Sequence, residues 1–430
     1  MTTSRERLVQ TLNHQEPDRV PIDLGSSTVS GIAASTLAKL RSELHLERKP
    51  VRIIEPFQVL GEVEEDVREI LGIDVVGIWP LKAMFFGYDQ EDWKPWKLQD
   101  GTTVSIGSGF NWTQDGEGNI YTYPCGDTTA RPCAKMPRGG YYFDSISDNR
   151  AIRENELDAR DDFKDQFKPY SEDELRYFEE KAVSLHDNTS YGITINFWQS
   201  SIGDVGFLPG GSVKNPKGIR DIETFLASFL LRPHYIKELF EMQVDVAIEN
   251  LKLLNQAIGS KANAIFVSGV DLGTQRGPLI SLDMYREFYK AHHKRLNEWI
   301  HTHTPWKTIF HSCGSVVSFL DEFVEVGVDV LNPVQTSAIG MDPNVLKEKY
   351  GKKLVFWGGG IDTQQILPFG TAEEVRRDTL EKLSILSKGG GFVFNTIHNI
   401  QHNVPVKNIL SMFDAIREFS GMPGILNEQH

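Results

Sequence analysis

The sequence predicts an α/β fold of the (β/α)8 TIM-barrel type, a single domain over residues 1–430 with a β-meander insertion at 82–145. Three observations predict it. Eight short apolar, β-branched runs recur along the chain, and most are followed by a helical pattern. From residue 190 onward strand and helix alternate without interruption. The G-x-G-x-x-G turn that opens a dinucleotide-binding doubly wound sheet does not follow any early strand, which disfavours that arrangement.

Each element has a local reason. The first helix starts at Thr3 or Ser4, with Glu6 three residues after Thr3 in capping-box spacing, and ends before Pro17-Asp18. Residues 19–23 then read as a strand, 57–71 as a helix, and 73–78 as a buried strand bounded by Gly72 and Pro80. Between 82 and 145, turn signals at Gln99-Asp-Gly101 and at 114–119 separate short alternating runs such as 102–106 and 119–123, the pattern of a meander. Residues 146–187 are highly charged and read as exposed helix and loop. The remaining strands fall at 191–197, 264–270, 308–313, 328–332, 354–358 and 392–397. The clearest helix is 234–258, where Ile236, Leu239, Phe240, Val244, Ala247, Ile248, Leu251 and Leu254 form one stripe between Pro233 and Gly259. Other helical patterns cover 282–301, 316–326, 343–350, 372–387 and 405–419.

Composition narrows the class of function. With 40 % hydrophobic and 24 % charged residues the chain can bury a large core. Its 59 acidic and 45 basic residues give a formal charge of −14, which disfavours nucleic acid or anionic lipid as a partner. Small molecules and proteins are the expected partners. Three cysteines, Cys125, Cys133 and Cys313, are too few for a disulfide framework, so a reducing, cytoplasmic location is expected, with no leader and no membrane span.

In such a barrel, chemistry collects where strands end and loops begin. One such end reads Ile309-Phe-His311-Ser-Cys313-Gly314, and residues two apart on a strand face the same side. An imidazole and a thiolate presented together suit zinc. The last strand brings His398 to the same rim, with His402 a weaker candidate further along the loop. At the other strand ends, Asp271 is a candidate acid, base or orienting group, and Arg276 a candidate anion binder, although a turn cap and a structural ion pair are the plainer readings. Gln275, Asn332, Gln335 and Asp362 are candidate substrate-binding residues, with turn hydrogen bonding the plainer reading of Asn332 and Gln335. Of the triple glycines, 358–360 is a candidate phosphate cradle and 389–391 a helix-ending turn. Cys125 and Cys133 read as packing residues, and the His292-His293 pair as structural.

The chain resembles the uroporphyrinogen decarboxylase superfamily, and within it the zinc- and corrinoid-dependent methyltransferases. The resemblance rests on residues 5–21, Asp271-Leu-Gly-Thr-Gln275, Phe310-His-Ser-Cys-Gly-Ser315, Val328-Asp-Val-Leu-Asn-Pro333 and the segment from His398 to Ile409. It implies a (β/α)8 barrel and a zinc ion held by the H-x-C pair, His311 and Cys313, with a third ligand near the last strand. Where those methyltransferases carry a second cysteine this chain has His398, so the implied set is two histidines and one cysteine. One thiolate leaves zinc with a net positive charge, a stronger Lewis acid than a two-thiolate site but one that makes a bound thiolate less nucleophilic. Ethers, amines or folate-type carriers are thus as plausible methyl partners as a thiol.

The implied activity is methyl transfer between a small-molecule substrate or carrier and a corrinoid. The chain has no D-x-H-x-x-G corrinoid motif, so a separate small corrinoid protein would be the partner, and a homodimer is possible for this family. The alternatives are a decarboxylase or lyase and a non-catalytic ligand-binding barrel. The decarboxylase reading expects an R-Q-A-G-R stretch for the substrate carboxylates, whereas residues 23–30 here contain no arginine.

Overall fold

The computed structural model describes residues 2–147 and 150–425 of the chain. Seven parallel strands form one sheet in sequence order: β1 (Val75–Ile78), β2 (Gly192–Asn196), β3 (Ala264–Ser268), β4 (Lys307–His311), β5 (Val330–Asn332), β6 (Val355–Trp357) and β7 (Phe392–Val393). Residues 20–23 supply the eighth stave and close the ring. Ile22 bridges Phe394 in parallel, the Asp23 and Phe394 amides donate to Phe394 O and Pro21 O, and the Asp74 amide donates to Ile22 O at 2.8 Å. The barrel expected from the eight apolar runs is the fold observed.

The period-two alternation of each strand sorts residues between the interior and the surrounding helices. Val76, Ile78, Ile193, Ile195, Ile265, Val267, Phe310, Leu331 and Phe356 join the large outer core, whereas Val75, Ala264, Phe266, Ile309, Val330, Val355, Trp357 and Val393 share the interior cluster. One step further along the inward-facing set, the residues turn polar: Asn196, Ser268, His311, Asn332 and Asn395, all buried. The barrel thus has an apolar floor and a polar mouth.

The first helix, Ser4–Leu12, seals the floor. Thr3 caps it in a complete capping box with Glu6, and Leu8 and Leu12 belong to the interior cluster. Buried Asp74, at the entry to β1, fixes this end by binding Arg7 and Arg19, each at 2.6 Å, the Ser4 hydroxyl and the Ile22 amide. Arg5 is spent on the carbonyls of Tyr191, His186 and Thr189. The arginines of the N-terminal motif therefore hold the closed end of the barrel and lie apart from its mouth.

The helices follow the sequence pattern closely. Pro233–Ile258 carries the expected stripe, and Pro343–Tyr350, Ala372–Leu386 and Val406–Phe419 lie where expected. The 282–301 pattern becomes three joined pieces, Leu282–Met284, a π-helical turn at Tyr285–Tyr289, and Lys290–His303.

Three expectations need correction. Residues 57–71 are helical only over Glu65–Leu71. Leu60–Gly61 instead pairs with an unanticipated strand, Val51–Glu55, because a side chain at Gly61 would stand 2.6 Å from Val51, an approach only glycine permits. The 82–145 insertion is not one meander. Lys94–Lys97 and Thr103–Ile106 join Val51–Glu55 in one sheet, and Trp112–Gln114, Ile120–Thr122, Ala134–Met136 and Asp144–Ser145 form a second, with turns near Gly101 and Gly118 as expected. The segment 146–187, whose residues 148 and 149 lie outside the described ones, is not merely exposed: Phe163, Phe178 and Ala182 are in the core. Among the described residues no helix is long and apolar enough to cross a membrane.

Candidate metal centre

His311 ends β4, two residues after inward-facing Ile309, so its ring points into the barrel. Cys313 lies just past the strand end, where Gly314 at φ +87° turns the chain. That turn is locked against the loop after β3. A side chain at Gly314 would stand 2.4 Å from the Gly273 backbone, the Ser315 amide donates to Thr274 O, and the Leu272 amide donates to the Ser312 hydroxyl at 2.9 Å. Two glycines facing one another thus let two loops touch through their backbones. In consequence the Asp271 carboxylate accepts the Cys313 amide at 2.8 Å and lies 3.9 Å from His311 Nε2.

His398 arrives from the other side of the ring. The loop after β7 is pinned by Asn399, whose side chain accepts the Gly31 amide at 2.6 Å and donates to Thr28 O and to Gln58, each at 2.8 Å. The His398 and His311 rings stand 5.8 Å apart at 70°. Ligating atoms of His311, Cys313 and His398 all lie within 4.8 Å of one another, and Cys313 Sγ is 3.4 Å from His311 Nε2. A tetrahedral zinc with ordinary bond lengths needs its nitrogen and sulfur ligands about 3.5 Å apart. The donor set fits the ion in chemistry, and the Cys313–His311 pair fits it in spacing.

The surroundings prepare these groups for ligation. Asn332 sits opposite His311 in the β4–β5 register. Its Nδ2 donates to Trp357 O at 3.0 Å, which fixes the amide so that Oδ1 faces His311 Nδ1 at 2.6 Å. Nδ1 therefore carries the proton and Nε2 presents its lone pair. Burial lowers the pKa of both histidines, to about 3 for His398 with the His311 charge adding to the effect, so both rings stay neutral, the ligating form. Burial, followed by the nearby Asp271 carboxylate, pushes the Cys313 thiol well up, so metal binding must release its proton.

The other sequence candidates divide. Gln335 is buried and accepts the Gly314 amide at 2.6 Å, so it supports the cysteine turn. Gln275 donates to Gln364 on the rim, Arg276 is exposed in the Gly273–Pro278 hairpin, and Asp362 caps the Gln364 and Gln365 amides. These three are not brought to the triad. His402 stacks on Tyr141 at 3.4 Å instead. Cys125 is exposed, which corrects its reading as a packing residue, while Cys133 is partly buried.

Two features carried no sequence signal. Asp204 follows β2 in an irregular stretch, in space left by Gly269, where a side chain would stand 3.0 Å from Asp204 Oδ2. Burial raises its pKa to about 7, and the Asp271 charge adds to the rise. The second is a cavity of about 410 Å³ at the end of β2. None of its lining residues is a triad member, but one wall is Trp198, whose ring lies 6.4 Å from that of His311 at 78°.

Fold and site together define a (β/α)8 barrel with a His-x-Cys pair and a distal histidine at its mouth. The uroporphyrinogen decarboxylase (URO-D) family pattern matches residues 213–419, the stretch that contains β3 to β7 and all three of these residues, so this part of the chain is similar to that family. No curated protein matches the chain in sequence. Among solved structures, a methyltransferase from Methanosarcina mazei superposes with a TM-score of 0.55, covering 97 % of this chain and 99 % of its own at 15 % identity, a likeness of fold. A GH113 β-1,4-mannanase (TM-score 0.33, 10 % identity, 92 % and 98 % coverage) and the old yellow enzyme homologue from Zymomonas mobilis (0.31, 11 %, 78 % and 81 %) are too distant to bear on the chemistry.

Proposed function

We propose that this chain is a zinc-dependent methyltransferase that moves a methyl group between a small-molecule substrate or carrier and a corrinoid on a separate small protein. The observation that carries the reading is the convergence of His311, Cys313 and His398, drawn from opposite sides of the ring, to within 4.8 Å. The methyltransferase from Methanosarcina mazei shares this barrel, which supports the reading at the level of fold.

His311, Cys313 and His398 would hold the metal with a fourth position left open. Bound there, zinc supplies Lewis acidity toward the heteroatom that gives up or takes the methyl group. The chain's own residues do the rest. Asn332 holds the His311 tautomer, Asp271 holds the Cys313 backbone, and Gln335 holds the turn after it. Asp204, poised near neutrality, can keep a proton beside Asp271 for a heteroatom that loses its methyl group.

The decarboxylase alternative needs cations for carboxylates. Arg7 and Arg19 are bound to Asp74 at the opposite end of the barrel, and residues 23–30 offer none. The test is spectroscopic: the zinc-loaded protein is mixed with free cob(I)alamin and a panel of methyl ethers, methylamines, methyl thioethers and methyl-folates. Methylcobalamin formation that depends on Cys313 is the expected result. Release of CO2 from carboxylated substrates with no methyl transfer would overturn the proposal.

A further inference from the structure

The three ligand candidates are not held alike. His311 is oriented by Asn332, and Cys313 stands on a turn held by Asp271 and Gln335. The His398 ring makes no hydrogen bond among the described residues, and its one ring contact is with His311, so its position depends on the backbone from which it projects. That backbone is fastened from another part of the chain. The Ile400 amide donates to Gly31 O at 2.9 Å and its carbonyl accepts from the Ala33 amide at 2.8 Å. Asn399, 1 % exposed, accepts the Gly31 amide and donates to Thr28 O and to Gln58 Oε1. Gln58 Nε2 donates to the same Thr28 carbonyl at 3.0 Å, so the two side-chain amides lock each other, because turning either over would set oxygen against oxygen.

Gln58 enters this set from the turn after the strand Val51–Glu55, and the turn is built to put it there. Buried Glu55 gathers two amides on one carboxyl group, Phe57 at Oε1 (3.0 Å) and Gln58 at Oε2 (2.7 Å). The next residue, Val59, is 3 % exposed and sits at φ +57°. A β-branched residue takes that left-handed conformation at a cost and keeps it only where its surroundings enforce it. Glu55 enforces it from one side, and the Ala34 amide, which donates to Val59 O at 2.9 Å, from the other. The strained turn thus delivers the Gln58 side chain to Asn399.

We propose that Gln58, set by the Glu55 turn, is the positioning residue of the third metal ligand: it fixes the Asn399 amide, and through it the peptide that carries His398 to the candidate centre. The inference deepens the methyl-transfer reading and rests on it for the metal alone. It divides the centre into two halves, His311 and Cys313 held by their neighbouring strands and loops, and His398 held by residues 28–33 and Gln58. Loosening Gln58 therefore disturbs one ligand and leaves the thiolate in place.

Gln58→Met removes both side-chain hydrogen bonds at nearly constant volume, and Gln58→Asn, one methylene short of Asn399, does so with a polar side chain, so that a folding failure in one leaves the other. In metal-free protein, hydrogen–deuterium exchange over residues 398–401 is expected to quicken about tenfold, the worth of one buried hydrogen bond, while that of 307–313 stays unchanged. With Co²⁺ as a coloured stand-in for zinc, affinity is expected to fall about tenfold, the lower end of what losing a supporting partner costs. The d–d bands of the four-coordinate ion weaken as His398 is displaced, and the sulfur-to-cobalt charge-transfer band of Cys313 persists. Gln58→Glu, which keeps an oxygen facing Asn399 Nδ2, restores affinity and bands. Asp74→Ala, at the distant barrel floor, lowers stability and leaves the cobalt spectrum as it is, which separates position from stability.

Unchanged loop exchange in Gln58→Met, unchanged cobalt affinity and spectrum, loss of the charge-transfer band together with the d–d bands, or the same spectral change in Asp74→Ala would each overturn the proposal. The two readings fail separately. Faster loop exchange in a protein that takes up no metal keeps the hold of Gln58 on the loop and removes the metal function, and metal uptake indifferent to Gln58 does the reverse.

Discussion

Replacing Asn332 with alanine tests how the candidate centre is held. Asn332 is 1 % exposed and joins β5 to both its neighbours, through His311 Nδ1 at 2.6 Å and Trp357 O at 3.0 Å. Truncation leaves both groups unpaired in a buried site, at about 1–3 kcal/mol each, so the fold should lose roughly 2–6 kcal/mol. The His311 ring would also lose the contact that fixes its tautomer, and removing such a partner typically weakens metal binding by about 10–100-fold. Zinc affinity is measured by competition with a chromophoric chelator, and stability by urea titration. Asn332→Asp separates the two effects: its carboxylate still accepts from His311 but no longer donates to Trp357 O, so stability falls while zinc affinity is kept. Wild-type zinc affinity in Asn332→Ala, or equal losses of affinity in the two variants, would refute the orienting role.

Three further outcomes follow from the same geometry. Gly314→Ala would force a side chain to 2.4 Å from the Gly273 backbone at φ +87°, so about 2 kcal/mol of stability and most zinc binding should be lost; zinc retained at wild-type affinity would contradict the locked turn. Asp74→Ala removes the buried acceptor of Arg19 and one of the two carboxylates on Arg7, which keeps Asp18, and should cost about 3 kcal/mol by urea titration, with a loss under about 1 kcal/mol counting against the clamp. Glu55 is buried and its pKa is raised from 4.5 to about 7 by burial, against opposing hydrogen bonds from the Gln58 and Phe57 amides. A raised carboxyl pKa stabilises the fold below the unfolded value and loses that contribution as pH climbs through the folded one. Stability should therefore fall by about 3 kcal/mol between pH 4.5 and 7 on this account, and Glu55→Gln should flatten that part of the profile. An unchanged profile in the variant would exclude Glu55 as its source.

Much of the fold was legible because the signals were local. Period-two alternation separates Ile309 and His311 from Phe310, and the same rule places Asn332 and Trp357 inward on β5 and β6. His398 was legible as the polar end of the last apolar run. What escaped depends on distant pairing. Val51–Glu55 is held by Thr103–Ile106, fifty residues on, and Leu60–Gly61 joins it because Gly61 tolerates close contact with Val51, overriding a helical pattern. Asp204 and Trp198 lie in irregular chain after β2, where no periodicity exists to read. Gln275, Arg276 and Asp362 lie in the loops after strands as expected, yet Gln275 is turned to Gln364 and Asp362 to the Gln364 and Gln365 amides while Arg276 is exposed, a matter of loop conformation rather than of strand register.

The central claim is the three-residue metal centre, and elemental analysis of the purified protein beside His311→Ala, Cys313→Ala and His398→Ala tests it most directly. The account predicts about one zinc per chain in the unsubstituted protein and its loss in all three variants, each remaining folded by far-ultraviolet circular dichroism. No bound metal in the unsubstituted protein, or full retention in folded His398→Ala, would contradict it.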